Sequence, residues 1–338
     1  MSAALAAPEQ TEQGAAGLLA IRGLRVAYRT ESGFLRAVDG VNLDLAPGEF
    51  LGVAGESGSG KTQLLLSVMG LNAPGARIEG SIRYRGQELV GAGERVLGSL
   101  RGARIAMIFQ DPMTALNPYL PIGIQLTEGL RHHQGASRSA ARRRALELLD
   151  AVHIPEPERR FAQHPHELSG GMRQRIVIAM ALICEPDILL ADEPTTALDV
   201  TVQAQILALL RELRTRAAIV LVTHDLGVIA EVADRMLVMY AGRVVEEAGV
   251  ERLFEHTRHP YTEALRRSIV PLEGPLPERL PSIGGNPPNP AALPPGCAFA
   301  PRCAYVFDRC ASAPPPLAPV APGHLRACYY DGPLGRIR

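Results

Sequence analysis

The sequence has no uninterrupted apolar stretch of the roughly 20 residues that a membrane-spanning helix requires. The longest apolar runs, such as IVIAMALI at 176–183, are too short. The first residues, MSAALAAPEQTEQGAAG, have no basic start and no long apolar segment, so they predict neither a signal peptide nor a membrane anchor. We expect a disordered leader at residues 1–16 and a soluble, cytosolic protein.

An excess of charge of either sign is also missing. The 338 residues include 35 Lys and Arg and 35 Asp and Glu, which gives a formal net charge of zero. This balance removes the general electrostatic attraction to nucleic acid or anionic membranes, and we predict no nucleic-acid partner. Because 46% of the residues are apolar and no internal repeat is apparent, we expect one large domain with an appendage, or two modest domains.

Cysteine is scarce. Of the five cysteines, Cys184 lies in an apolar stretch and is interpreted as a core residue. The other four are close to the C-terminus: Cys297, Cys303, Cys310 and Cys328. A reducing compartment disfavours disulfides, and the gaps of five, six and seventeen residues do not match the common zinc spacing. Four thiols in a Pro-rich segment suit a metal clamp, with free thiols as the alternative.

The apolar pattern predicts an α/β core. Alternation at 18–28 and 36–45 is typical of strands. The run at 50–54 is followed by a Gly-rich turn and a helical pattern that begins at Lys61. The continuous apolar runs in ILLADEP and AIVLVTHD suit parallel strands that are covered on both faces. Between these parts, residues 111–168 change to helical spacing, which predicts an inserted helical subdomain.

The predicted domain division has three parts. Residues 1–16 form the leader, 17–258 the α/β domain, and 259–338 a C-terminal tail. Proline and glycine are dense after Pro271, so the tail lacks the apolar content for a core of its own. We expect it to be irregular and loosely ordered unless a clamp holds it.

The turn before the predicted helix matches the phosphate-loop pattern G-x-x-x-x-G-K-[ST] at every fixed position. Its residues are Gly55, Glu56, Ser57, Gly58, Ser59, Gly60, Lys61 and Thr62. Glycines let the backbone wrap a phosphate, and the helix N-terminus favours the same anion. We predict that Lys61 reaches the β and γ phosphates of ATP and that the Thr62 hydroxyl binds Mg²⁺.

Two carboxylates follow the apolar run ILLA. In this position Asp192 is predicted to bind Mg²⁺, and Glu193 to polarise the attacking water as a general base. A strand that ends in surface acids is the structural alternative, which the upstream phosphate loop makes the weaker interpretation.

The segment Leu168-Ser169-Gly170-Gly171 resembles the signature sequence of ABC-type ATPases, a P-loop family with a RecA-like core, an antiparallel β subdomain and a helical insert. Other motifs of that family follow in the right order between about Leu18 and Leu253. The matching residues are Tyr28 for adenine stacking, Gln110 of the Q-loop, Asp199 of the D-loop and the switch histidine His224.

This resemblance implies a mechanism that needs two ATPase subunits. In the family, two ATP molecules are held between subunits arranged head to tail, and signature residues such as Ser169, Gly170 and Gly171 face the partner's nucleotide. The resemblance also implies that Gln110 connects Mg²⁺ and water to the helical subdomain, and that His224 contacts the γ phosphate. Hence Glu193, His224 and Gln110 are the candidate catalytic residues.

Three further segments are similar to the oligopeptide/dipeptide importer branch of the family, which includes nickel importers. They are FQDPMTALNP at 109–118, RHPYTEAL at 258–265 and the cysteine pattern that begins with GCAFAPRC at 296–303. The branch implies a [4Fe–4S] cluster on the four tail cysteines, with structural zinc as the alternative.

The expected function is therefore ATP hydrolysis that drives peptide uptake at the cytoplasmic face of the inner membrane. The branch implies two membrane permease subunits, a second ATPase subunit in a homodimer or heterodimer, and indirectly an extracytoplasmic solute-binding protein. Import of nickel or another small solute is one alternative. A soluble ABC ATPase of DNA repair or translation is another, although such proteins usually carry two modules or a long coiled coil.

Overall fold

Two β-sheets and a group of helices make up the fold in the computed structural model, which describes residues 17–31, 33–111, 115–196, 198–269 and 282–335. The predicted leader at 1–16 lies outside this range. The strands are β1 (Leu19–Thr30), β2 (Gly33–Leu45), β3 (Phe50–Ala54), β4 (Arg77–Tyr84), β5 (Gln87–Glu88), β6 (Ile105–Ile108), β7 (Ile188–Asp192), β8 (Ala218–Thr223), β9 (Arg235–Tyr240), β10 (Arg243–Gly249), β11 (Ala318–Ala321) and β12 (His324–Arg326).

The helices fall between these strands. They are α1 (Lys61–Met69), α2 (Glu94–Leu100), α3 (Ile122–Gln134), α4 (Arg138–Ala151), α5 (Pro157–Ala162), α6 (Gly170–Leu182), α7 (Val200–Leu213), α8 (Leu226–Val232), α9 (Val250–Glu255), α10 (Pro260–Arg267) and α11 (Arg309–Ser312). Short 3-10 turns occur at Pro165–Glu167 and Ala300–Arg302.

The larger sheet has the strand order β11-β12-β10-β9-β3-β8-β7-β6. The five strands from β9 to β6 run parallel, and every residue of β3, β7 and β8 is buried. This burial explains the continuous apolar runs, because helices and the second sheet cover both faces. The predicted parallel core and the helix start at Lys61 are confirmed.

The smaller sheet is antiparallel, with the order β2-β1-β4-β5. Its alternating apolar side chains pack with α1 and one face of the larger sheet in a shared core. A second core on the opposite face joins the larger sheet to the helical region, where α3 packs against α4, α5 and α6. Helices α3, α4 and α5 lie between residues 111 and 168, whereas α6 begins at Gly170 and packs with them, and the domain boundaries remain a prediction.

The described part of the C-terminal tail docks on the far edge of the larger sheet. Strand β12 pairs with β10, and β11 pairs with β12, so the tail contributes two short strands that the sequence analysis did not predict. Phe299 of the tail is buried in a third core with residues of β9, β10 and α10. The tail is therefore held by pairing and packing with the ATPase domain.

A buried contact between a histidine and a carboxylate joins the tail to β10. The Glu246 side chain is 0% exposed and the His324 side chain 1%, with 2.8 Å between His324 Nε2 and Glu246 Oε1. The same carboxylate accepts hydrogen bonds from the backbone N–H groups of Arg258 (2.6 Å) and His259 (3.2 Å). Glu246 therefore fixes β12 and the start of α10 at one point.

We expect His324→Ala to weaken docking of the tail. The change leaves the buried Glu246 carboxylate without its imidazole partner, and a hydrogen bond to a charged group contributes about 1.5–3 kcal/mol. Denaturant unfolding should show a loss in that range, and hydrogen exchange should accelerate in β11 and β12. His256→Ala is the control, because the His256 side chain is 63% exposed. Equal stability of the two variants would contradict the role given to His324.

Candidate functional site

The phosphate loop connects β3 to α1, and two of its glycines are required by geometry. Gly55 has φ 153° and Gly60 has φ 99°. A β-carbon at Gly55 would lie 2.3 Å from the carbonyl oxygen of Met239, and one at Gly60 would lie 2.2 Å from that of Ala37. Because real β-carbons do not approach backbone oxygen so closely, no other residue fits this path of the chain.

Lys61 is folded back into the loop. Its side-chain ammonium donates hydrogen bonds to the carbonyl oxygens of Gly55 (2.7 Å) and Glu56 (3.0 Å). Burial lowers the pKa of Lys61, while the carboxylates of Glu193 and Asp192 oppose this effect. The ammonium group thus occupies the concave side of the loop, where an anion could replace its carbonyl partners.

Asp192 ends β7 and is 3% exposed. Burial is the main cause that raises the pKa of this carboxyl group, and a hydrogen bond from Thr62 opposes it. The structure therefore brings together two of the three predicted magnesium ligands, both with oxygen donors of the type that Mg²⁺ prefers.

The three predicted catalytic side chains lie together, because Gln110 and His224 both contact the carboxylate of Glu193. Its Oε2 atom lies 3.3 Å from Gln110 Nε2 and 3.4 Å from His224 Nδ1. Gln110 follows β6 and His224 follows β8, so neighbouring parallel strands bring the three residues together. Sequence reasoning missed a fourth member, Thr196, whose hydroxyl donates to the same oxygen at 2.9 Å.

The backbone of Glu193 is itself constrained. Its φ of 47° is in the left-handed region, which a residue with a long side chain seldom adopts. Its N–H donates to the carbonyl oxygen of Val222 in β8 at 2.8 Å, which anchors the turn after β7. The strained turn directs the carboxylate toward the open site, where its side chain is 15% exposed.

A cavity of about 410 Å³ lies beside the phosphate loop. Tyr28, Gln110, Glu193 and Pro290 are part of its lining, together with loop residues 57–62 and Gln63. The Tyr28 hydroxyl donates to the side chain of Gln63, which fixes the ring at the mouth of the cavity. The predicted adenine-side residue Tyr28 and two of the predicted hydrolytic residues, Gln110 and Glu193, thus line one cavity. Pro290, from the tail, was not predicted.

The signature residues lie elsewhere on the surface. Ser169 caps α6 and accepts from the Met172 N–H at 3.3 Å, and Asp199 caps α7. Ser169, Gly170 and Asp199 are exposed, and a β-carbon on Gly171 would lie 2.9 Å from Val202 of α7. Within the described residues, none of these positions lines the cavity beside the phosphate loop.

The four tail cysteines converge on a second, small cavity. Cys297, Cys303, Cys310 and Cys328 all contribute to its lining, while Cys184 packs in the core below the helical region, as predicted. Burial raises the pKa of Cys297 and Cys328, and that of Cys303 to about 11. Over the described ranges, no three His, Cys, Asp or Glu side chains have an arrangement that could hold a metal ion. The predicted metal centre is therefore not present as a formed site.

The tail also reaches the phosphate loop through residues to which sequence reasoning gave no role. The Arg302 guanidinium lies 2.6 and 3.0 Å from the two carboxylate oxygens of Glu56. The Tyr261 hydroxyl accepts a hydrogen bond from the Glu56 N–H at 2.8 Å. Both residues lie in segments that resemble the peptide-importer branch, which was the only available signal.

Taken together, the parallel sheet, the phosphate loop and the carboxylates after β7 define a P-loop nucleotide hydrolase. The ABC transporter family model matches residues 38–196, and the model for the oligopeptide/dipeptide transporter C-terminal region matches residues 245–310. No helix in the part of the chain that the structure describes is long and apolar enough to span a bilayer.

Similar proteins place the chain more narrowly. It is 49% identical over 322 residues to the oligopeptide transport ATP-binding protein OppD of Salmonella typhimurium, covering 95% of this chain and 96% of the relative. It is 48% identical over 320 residues to OppD of Escherichia coli, covering 94% of each. The chain therefore belongs to the ATP-binding proteins of oligopeptide/dipeptide ABC transporters.

A solved structure supports the fold assignment. It is the dimeric post-hydrolysis state of the ATP-binding cassette MJ0796 bound to ADP and Pi, with a TM-score of 0.62 and 31% identity. The similarity covers 69% of this chain and 98% of that chain. The ABC ATPase fold predicted from the sequence is thus confirmed.

The geometry around Glu193 leads to a prediction for Glu193→Gln. The amide keeps the size and polarity of the side chain but cannot accept a proton, so we expect ATP binding to persist while turnover falls about 10²–10⁴-fold. Phosphate release and equilibrium nucleotide binding would be measured on the same preparation. Glu255→Gln, at a side chain that is 72% exposed, is the control. Undiminished turnover in Glu193→Gln would contradict the general-base role.

Proposed function

We propose that this chain is the ATP-hydrolysing subunit of an importer for dipeptides and oligopeptides. The observation that carries the hydrolytic part is the convergence of Gln110, Thr196 and His224 on the Glu193 carboxylate beside the phosphate loop. The peptide substrate is supported by the match to the oligopeptide/dipeptide transporter C-terminal region and by the similarity to oligopeptide transport ATP-binding proteins.

The proposed mechanism assigns a role to each side of the cavity. Tyr28 stacks on the adenine, and the N–H groups of residues 55–62 surround the phosphates, whose negative charge draws Lys61 away from its carbonyl partners. Glu193 accepts a proton from the attacking water. His224 lies beside Glu193 and stabilises the charge that develops on the γ phosphate.

Thr62, Gln110 and Asp192 are the side chains that would hold Mg²⁺ in this arrangement. Their oxygen donors fit this cation, which neutralises phosphate charge when bound. An isolated buried carboxylate is unfavourable, so the burial of Asp192 favours the binding of a cation beside it.

A second ATPase subunit completes the proposed site. Ser169, Gly170 and Asp199 are exposed, and Gly171 half-buried, at or near the N-termini of α6 and α7, where helix N–H groups attract phosphate. Since these residues do not face the chain's own phosphate loop, we propose that they face the nucleotide of a partner subunit. Either a second copy or a related ATPase fits this arrangement.

The helical region is proposed to contact two membrane permease subunits. Large apolar side chains are exposed at the start of the helical region, on the C-terminal side of Gln110: Tyr119 (87%), Leu120 (36%) and Ile124 (51%). Such a group on an otherwise polar surface is typical of a protein-binding site. The chain would then lie on the cytoplasmic face of the inner membrane, and an extracytoplasmic solute-binding protein would deliver the peptide.

Co-expression with candidate membrane permease subunits tests this function. We expect peptide uptake that requires ATP hydrolysis, and stimulation of the ATPase by peptide-loaded binding protein. Tyr119→Ser combined with Ile124→Ser should leave basal hydrolysis by the free chain unchanged but prevent recovery with the permeases. Leu71→Ser, at a side chain with 40% exposure outside the helical region, is the control.

Two alternatives predict different results. If the importer carries nickel, as other members of the oligopeptide/dipeptide importer branch do, nickel-loaded binding protein would stimulate the ATPase and peptide would not. A non-transport ATPase would hydrolyse ATP without associating with permeases in either variant or control.

We further propose that the tail cysteines bind a [4Fe–4S] cluster, with a zinc ion as the alternative. Four thiols line one small cavity without yet forming a metal site in the described residues, and thiolate is the donor that both groups take in proteins. When bound, either group would cross-link the segments that carry Cys297, Cys303, Cys310 and Cys328, and would so tie the irregular parts of the tail together.

Anaerobic purification followed by metal analysis distinguishes these possibilities. We expect about four iron and four acid-labile sulfide per chain, with a broad visible absorption that bleaches on reduction. One zinc without colour would support the alternative, and neither metal would mean free thiols. Cys310→Ser should lower the metal content, whereas Cys184→Ser, in the core, should leave it unchanged.

A further inference from the structure

One side chain of the C-terminal tail enters the nucleotide-binding machinery of the ATPase domain. Arg302 follows the first tail cysteine and makes two hydrogen bonds to the Glu56 carboxylate, while its own side chain is only 5% exposed. The Gly284 carbonyl oxygen accepts from Arg302 Nε at 2.9 Å. The guanidinium also lies 6.0 Å from the centre of the Tyr240 ring. Arg302 is thus held by the Gly284 carbonyl oxygen and the Tyr240 ring as well as by Glu56.

Tyr261 fixes the same loop residue from a second direction. Its hydroxyl accepts from the Glu56 N–H at 2.8 Å, and its ring is fully buried against the rings of Tyr240 and Phe299. Tyr261 belongs to the RHPYTEAL segment, which the mechanism above does not use.

All three polar parts of Glu56 therefore have partners. The N–H is bound by Tyr261, the carboxylate by Arg302, and the carbonyl oxygen accepts from Lys61 at 3.0 Å. Because Lys61 must leave this carbonyl to bind phosphate, the position of Glu56 sets the starting point of that movement. A loop held in place before the ligand arrives loses less conformational freedom on binding.

The contact between Arg302 and Glu56 also changes the electrostatics of the phosphate loop. Glu56 places a carboxylate in a loop whose ligand is a polyanion, and like charges at short distance repel strongly where water is partly excluded. The hydrogen bonds that Arg302 donates to Glu56 raise the pKa of the guanidinium even further above its usual range, so the arginine is a permanent cation. It offsets the negative charge of the Glu56 carboxylate within the phosphate loop.

We propose that Arg302, assisted by Tyr261, is a positioning residue for the phosphate loop, and that it neutralises Glu56 so that the loop accepts a polyphosphate. The tail is then a functional part of the nucleotide site, an assignment that the presence of Pro290 in the lining of the cavity also supports. This inference rests on the proposed function only in requiring that the chain bind ATP.

The test compares the binding of ATP, ADP and AMP to the full-length chain by calorimetry. In Arg302→Ala the uncompensated Glu56 carboxylate should weaken ATP binding about tenfold, with a smaller loss for ADP and the smallest for AMP. Arg302→Lys should recover part of the loss, because the charge returns without the second hydrogen bond. Arg309→Ala is the matched control, an exposed tail arginine that lies over the Tyr329 ring.

Glu56→Gln separates electrostatic positioning from a merely structural role. The amide keeps the size of the side chain and its contact with Arg302 but removes the negative charge, so ATP should bind at least as tightly as to the unaltered chain. In the Arg302→Ala background, the same change should restore most of the lost affinity. If both single changes weaken ATP binding alike, Arg302 and Glu56 form only a structural link and the proposal is wrong.

Tyr261→Phe and the fold controls complete the experiment. Removing the Tyr261 hydroxyl should weaken the binding of ATP several-fold, with similar losses for ADP and AMP. Tyr329→Phe should have no effect. Circular dichroism and thermal melting would show whether Arg302→Ala still folds, and if it does not, Glu56→Gln alone decides the question by the direction of its effect. If the unaltered chain fails to bind ATP, the proposed function fails as well. If the unaltered chain binds ATP but Arg302→Ala weakens the binding of ATP and AMP equally, only the role of Arg302 is overturned.

Discussion

The register of four parallel strands is the constraint on which the rest of the site depends. Strands β3, β8, β7 and β6 are neighbours, with Ala54 paired to Thr223, Asp192 to Val222 and Ile108 to Ala191. Their carboxyl ends therefore meet at one edge of the sheet, where the phosphate loop and the side chains around Glu193 follow directly. A shift of one strand by two residues would move its polar group by more than 6 Å and separate it from the others.

This constraint explains why so much could be predicted from the sequence. Fully buried parallel strands appear in the sequence as continuous apolar runs, and the candidate site residues follow directly after these runs. Both the fold class and the group around Glu193 could therefore be located from short segments. The role of Glu193 was predicted from its place after an apolar run and a phosphate loop, and those of His224 and Gln110 were implied by the resemblance to ABC-type ATPases. The structure places the His224 and Gln110 side chains beside one oxygen atom of Glu193.

What could not be predicted depends on contacts between distant segments. Arg302 and Glu56 are 246 positions apart, and His324 and Glu246 are 78 apart. Strands β11 and β12 contain only four and three residues, which is too few to show a periodicity. Thr196 belongs to the site because of a tight turn after β7, and a threonine in a loop carries no distinctive signal. In each case the pairing is defined by tertiary structure alone.

The docked tail also changes the kind of surface that the larger sheet presents to other molecules. Without β12, strand β10 would be an open edge of seven residues, with unpaired N–H and C=O groups able to recruit a strand from another chain. The pairing with β12 satisfies three positions of that edge, and β11 then forms a much shorter border that contains Pro319. Because proline cannot donate to a further strand, the tail ends the sheet at this side. The same segment that reaches the phosphate loop thus protects the folded protein from aggregation through strand pairing.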